Sequence, residues 1–159
     1  PQSFSGGSEP FSYDLASSSG DDLYIINPSG LGKAMSVLNS EDNIIINFSG
    51  PGVTAVGGRF FMSDYDGNLT TGTITVRLSD GTVVTVTSPG AGPDDLFRGF
   101  TSDTPITSLS VEGTGDPESK DYPALTHLYV GKLIPEPGTL ALGLLGLALI
   151  VGWRRVGRR

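Results

Sequence analysis

The chain has no cysteine and a single histidine, His127. The missing cysteine excludes disulfides, thiolate metal ligands, a Cys nucleophile and a lipidated Cys anchor. One histidine is too few for a His-based zinc site. Basic residues are scarce over most of the chain. Residues 1–133 carry six Lys/Arg against sixteen Asp/Glu, a formal charge of −10, whereas residues 134–159 carry four Arg and one Glu, a charge of +3. Nucleic-acid phosphates require a basic footprint, so this body is not expected to bind nucleic acid. Its acidity favours solubility. Also missing are a G-x-S-x-G elbow, an H-E-x-x-H pair and a phosphate loop. Together these absences lead us to expect a protein that is not an enzyme. No amphipathic helical period appears before residue 134. The opening residues Pro1-Gln2-Ser3-Phe4 show no basic n-region and no apolar h-region. The expectation is that an export signal has been removed, or that the sequence is a fragment.

The C-terminus has three parts in order: Pro135-Glu136-Pro137, an uncharged apolar run over 140–153 (LALGLLGLALIVGW), and Arg154-Arg155-Val156-Gly157-Arg158-Arg159. As a helix the run is about 21 Å long, against a hydrocarbon core of roughly 30 Å. Trp153 is an interfacial residue, and Arg154 and Arg155 can snorkel along their methylene stems, so both extend its reach. A buried helix of a soluble domain would carry a polar stripe, and this run has none. The run is therefore read as a single transmembrane helix. The four Arg favour a cytoplasmic end, which leaves the body on the opposite side of the inner membrane. Each Pro removes a backbone donor and disfavours helix in the residue before it, so the acidic motif is expected to be extended and solvated.

Residues 134–159 resemble the PEP-CTERM sorting signal of Gram-negative bacteria. That resemblance implies recognition by an exosortase, an integral-membrane cysteine transpeptidase. It also implies that Pro135, Glu136 and Pro137 form the sorting motif, and that Arg154, Arg155, Arg158 and Arg159 form the retention cluster. The implied path is export, anchoring in the inner membrane with the body outside the cytoplasm, then processing towards the cell surface or extracellular matrix.

Residues 1–22 are rich in Ser, Gly and Pro and read as a flexible arm with one edge strand near 11–15. From residue 23 onward the pattern is that of strands. Candidates are 34–38, 43–48, 53–62, 73–78, 82–87, 97–100, 106–111 and 125–130. Gly57-Gly58 within the third points to a bulge or a close backbone approach. The hairpin around Ser79-Asp80-Gly81 is the clearest unit. Ile74, Val76 and Leu78 alternate with Thr75 and Arg77, and Val84 and Val86 offer a matching row. Roughly eight strands at this spacing predict an all-β fold, an antiparallel β-sandwich or jelly roll. The expected domains are an arm (1–22), a sandwich (23–133) that folds without the tail, and the sorting signal (134–159).

The stretches AVGGRFF (55–61), GTITVRLSDGT (72–82), RGFTSDTPITSLSVEG (98–113) and YPALTHLYVG (122–131) resemble a β-sandwich domain common in PEP-CTERM proteins. Its topology is similar to that of carbohydrate-binding jelly rolls. Many relatives have an acidic or Asn pair before Leu-Tyr-Val-Gly, where this chain has Thr126-His127.

Asp64-Tyr65-Asp66-Gly67-Asn68 is the candidate metal loop. Closely spaced Asp64 and Asp66 could supply oxygens to Ca²⁺. The spacing departs from an EF-hand, and the same residues suit a plain hairpin turn. No other cofactor is expected. Asp94-Asp95 reads as a solvated acidic turn. Tyr65, Tyr122 and Tyr129 could stack on sugar rings or simply pack. His127, the one histidine available as a base, falls in an alternating strand. The leading expectation is an exported surface or matrix protein. The alternative is a module that recognises exopolysaccharide, and a secreted hydrolase ranks last.

Overall fold

A computed structural model describes residues 4–88, 96–114 and 120–133. Twelve strands and no helix occur among them. They are β1 (Phe4–Ser8), β2 (Phe11–Ser17), β3 (Leu23–Ile26), β4 (Ala34–Val37), β5 (Ile44–Ser49), β6 (Ala55–Ser63), β7 (Leu69–Thr70), β8 (Gly72–Leu78), β9 (Val83–Ser88), β10 (Phe97–Thr101), β11 (Ser108–Thr114) and β12 (Tyr122–Gly131). The first sheet runs β1-β2-β5-β11-β8-β9. The second runs β10-β6-β12-β4-β3, with β7 paired to β6. All pairings are antiparallel. The expected all-β sandwich is therefore the observed architecture.

The two sheets bury one common core. Ile44, Ile46, Ile74 and Val76 come from the first sheet, and Val56, Phe60, Met62 and Leu125 from the second. Each such side chain contributes roughly 1.5–3 kcal/mol when fully withdrawn from water. The hairpin has the expected register: Ile74 faces Val86, Val76 faces Val84, and Gly81 turns the chain at φ 92°. The Asp80 carboxylate accepts the Thr82 amide at 2.9 Å. The Ser102 hydroxyl first, and then the Thr82 amide, hold that carboxyl below its ordinary value. Ser88, fully buried at the end of β9, accepts the Met62 amide and donates to the Thr70 carbonyl, which ties the two sheets together.

Strand β6 is buried on both faces, because a second cluster of Leu31, Ala34, Phe61, Leu96 and Ala124 covers half of its outer side. The other half, around Gly57, has no such cluster over it, and the Phe97 ring lies across it instead. Strand β12 pairs alongside β6, antiparallel, with a bulge. Thr126 pairs with Arg59 but Tyr129 pairs with Gly57, so two residues on β12, His127 and Leu128, face Gly58 alone. His127 sits at φ 52°, the left-handed conformation such a bulge uses. The extra residue flips the phase of the strand: Thr126 and then Tyr129 face outward, while Leu128 packs on the core.

Four readings are corrected here. Residues 4–17 are not a loose arm. They form β1 and β2, and Leu15 is in the core, because β2 pairs with β5 from Ser12↔Ser49 to Ser17↔Ile44. The strand near 11–15 is not an edge; β1 flanks it on the other side. The number of strands exceeds eight because β1, β3 and β7 gave no clear alternating signal. The bulge foreseen at Gly57-Gly58 lies on the partner strand, opposite Gly58. The apolar run 140–153 lies outside the described residues; among those described, no helix is long and apolar enough to cross a membrane.

Candidate functional site

A cleft of about 320 Å³ opens at the β3 edge of the second sheet. Strand β3 supplies Tyr24 and Ile25, and Leu38 follows β4. The turn from β6 to β7 adds Asp64, Tyr65 and Asp66 to its lining. Tyr24 is 47% exposed and Tyr65 80% exposed. Tyr122, nearly buried, contributes to the base, where the Ser36 hydroxyl donates to the Pro123 carbonyl at 3.0 Å. The cleft thus combines exposed aromatic faces with two carboxylates, the composition that lets a site both stack on and hydrogen-bond a polar ring.

The turn itself is built by Asp64. One carboxylate oxygen accepts the Asn68 amide at 2.7 Å and the other accepts the Asn68 side-chain nitrogen at 3.0 Å. Burial alone raises the Asp64 carboxyl. The hydrogen bonds from the Asn68 side chain and from the Asn68, Asp66 and Gly67 backbones outweigh that and hold it below the ordinary carboxylate value. The turn is therefore tightest above that ordinary value and loosens as pH falls through the lowered one. Both carboxylate oxygens serve the turn, and no group of three His, Asp or Glu gathers here among the described residues. The geometry at Asp64 and Asp66 matches the hairpin-turn reading.

The structure separates the three tyrosines singled out in the sequence. Tyr65 and Tyr122 share the cleft, whereas Tyr129 lies on the outer face of the second sheet, edge-on to Phe97 with ring centroids 6.0 Å apart. Tyr24 was missed because β3 is a four-residue apolar run with no alternation. The signal that could have found it is Leu23-Tyr24-Ile25-Ile26 between Asp21-Asp22 and Asn27-Pro28. His127 is exposed at the bulge, its Nδ1 3.1 Å from the Thr126 hydroxyl, which donates to the Lys33 carbonyl. Asp94, Asp95, Pro135, Glu136, Pro137, Arg154, Arg155, Arg158 and Arg159 lie outside the described residues.

Residues 133–159 match the family described as the PEP-CTERM protein-sorting motif. The chain therefore carries a PEP-CTERM sorting motif, which implies export and a membrane-held C-terminus before processing. No curated protein matches the chain. Among solved structures, the Clostridium stercorarium module CsCBM6-3, in complex with cellobiose, is 19% identical over 82% of this chain and 94% of that one, with a TM-score of 0.40. TmCBM61, in complex with β-1,4-galactotriose, is 12% identical over 79% of this chain and 90% of that one, with a TM-score of 0.44. A glycoside hydrolase family 43 arabinoxylan arabinofuranohydrolase from Bacillus subtilis, in complex with cellotetraose, is 15% identical over 70% of this chain, with a TM-score of 0.42. This chain spans about a quarter of that enzyme, 24% of its length.

Proposed function

We propose that this is an exported surface or matrix protein, held in the inner membrane by its tail and then processed by an exosortase. The sorting-motif match at residues 133–159 carries this reading. In it, Pro135-Glu136-Pro137 is gripped as an extended segment at the membrane surface, the apolar run anchors the chain, and the terminal Arg cluster retains it. The body is a structural or binding module rather than an enzyme. Replacing Glu136 and Pro137 together by Ala is expected to leave full-length protein in the inner membrane, read by fractionation and by mass spectrometry of the recovered C-terminus. A double variant that matures and sorts like the parent overturns the proposal.

The cleft favours a second, compatible reading, in which the body recognises exopolysaccharide. Tyr24 and Tyr65 are both exposed and line one open cleft with Asp64 and Asp66. Aromatic contacts of this kind are worth about 0.5–1.5 kcal/mol each, so losing both weakens binding by roughly tenfold or more. Tyr24→Ala with Tyr65→Ala should therefore abolish detectable glycan-array signal while leaving the melting curve close to the parent's. If the parent binds no glycan on the array, or the double variant binds as well as the parent, the cleft is not a sugar site.

A further inference from the structure

The half of the second sheet's outer face around Gly57 is apolar, has almost no polar side chains, and lies where the chain leaves the body. Gly57 on β6 is opposed by Gly99 on β10 and by Tyr129 on β12. Ala55 is opposed by Thr101 and by Gly131. The result is a floor of glycine and alanine, flanked by Phe97 at 45% and Tyr129 at 58% exposure. A Cβ added at Gly57 would come within 3.0 Å of the Phe97 ring, so the bare floor is what lets that ring lie across it. The depression holds about 310 Å³, and the hydroxyls of Thr101 and Tyr129 are the polar side-chain groups that line it. A sugar needs several directed hydrogen bonds, so this face suits an apolar occupant better than a glycan. Soluble proteins seldom leave such a patch without a use for it.

Charge and chain path identify the occupant. None of the body's sixteen acidic residues falls in β6, β10 or β12; Asp64 and Asp121 adjoin β6 and β12 only at the far end, where Ser63 pairs with Tyr122. Of its six basic residues, Arg59 lies on this face and Lys132 immediately follows β12, whereas Arg98 pairs with Gly58 on the other side of the sheet, in phase with core Phe100. Arg59 is paired directly with Phe97. An acidic body thus presents one face that is apolar and flanked by positive charge, the combination that favours an anionic lipid surface. Strand β12 leads from Tyr129 through Gly131 to Leu133, itself exposed. Seven residues further on, at Leu140, the apolar run begins, a reach of about 24 Å at full extension. The anchored body cannot stand far from the headgroups, and this is the face nearest its tether.

We infer that, while the tail holds the chain, the Phe97–Tyr129 face of β10, β6 and β12 rests on the lipid surface. The inference relies on the anchoring reading above. The absence of cysteine allows a single nitroxide label to be placed without further substitution. Full-length chain is reconstituted in vesicles of phosphatidylglycerol and phosphatidylcholine, with the label at Thr101→Cys, which lines the patch. A second preparation carries it at Val83→Cys, an exposed position on the first sheet. Power saturation should give a severalfold higher ratio of oxygen to nickel-chelate collisions at 101 than at 83. That excess should shrink in pure phosphatidylcholine and vanish when Phe97→Ser and Tyr129→Ser are added. Both side chains are about half exposed, so circular dichroism of that variant should match the parent. Equal ratios at 101 and 83 in vesicle-bound chain overturn the inference and leave the anchoring intact. Shielding of 101 from both reagents also overturns it, and means that protein covers the face. A chain that does not float with vesicles overturns the anchoring reading, and the docking falls with it.

Discussion

Val76→Asp abolishes the cooperative melt of the body, while Thr75→Asp, one residue away, retains it: this is the expected outcome of a paired substitution in β8. Val76 is 0% exposed, between Val84 on β9 and Val111 on β11. A carboxylate there has no donor and no counter-charge. It stays charged at a cost of several kcal/mol, or takes up a proton and remains a buried polar group in a site shaped for two methyls. Either loss is large against a total stability of about 5–15 kcal/mol. Thr75 faces the other side, between Thr85 and Glu112. An Asp at 75 meets the Glu112 carboxylate across the strands, a repulsion worth up to about 1 kcal/mol and screened by water. Arg77, which holds Glu112 at 2.9 Å, moderates it further. Thermal melts of the two variants decide the matter: equal losses, or a larger loss at 75, would mean the two faces are assigned the wrong way round.

Removing residues 1–22 should have an effect of the same order. Strand β2 supplies a full ladder to β5 and places Leu15 in the core. Its C-terminal end also satisfies a buried carboxylate: the Ser17 hydroxyl donates to Asp42 Oδ2 at 3.0 Å and the Ser19 hydroxyl at 2.7 Å. A chain starting at residue 23 loses the Leu15 packing, about 2–5 kcal/mol. It also loses the Ser17 and Ser19 hydrogen bonds to Asp42. The pairing edge of β5 is bared in addition. Urea titration followed by circular dichroism should show no folded baseline for this truncation. A cooperative transition at the parent's midpoint would show that β1 and β2 are dispensable after all.

That second expectation runs against the sequence reading, and the reason is physical. Phe11, Tyr13 and Leu15 do alternate with polar residues, as a half-buried strand requires, but the surrounding Ser and Gly look like linker composition. The fold turned on the period, which the composition masked. The hairpin of β8 and β9 was legible because period, β-branched residues and an Asp-Gly turn all agree there. Strand β3 was not, since four apolar residues at a sheet edge have no period to read. This cost the cleft its Tyr24 wall, although the Asp64–Asn68 turn was visible as turn chemistry. The Gly57 face was out of reach for a different reason. Its floor is assembled from three strands that are not consecutive in the chain, and a one-residue bulge at His127 decides that Tyr129, and not Leu128, faces outward. No local pattern encodes that phase shift.

The position of β12 also has a consequence in time. It is the last strand of the body, yet it lies in the middle of its sheet, between β6 and β4. The hydrogen bond from Ser36 to the Pro123 carbonyl joins residues 87 apart. A chain emerging N-terminus first therefore holds β3 with β4 as one fragment and β6 as the start of another, with no strand hydrogen-bonded between them until β12 arrives. Only when residue 131 is clear can the second sheet close, and contacts so distant in sequence form slowly. The sorting motif begins two residues later, at 133. A chain stalled just short of that point is an open half-sandwich, exposed to any protease nearby. Completion of the fold and presentation of the tail thus become available within the same few residues of emergence.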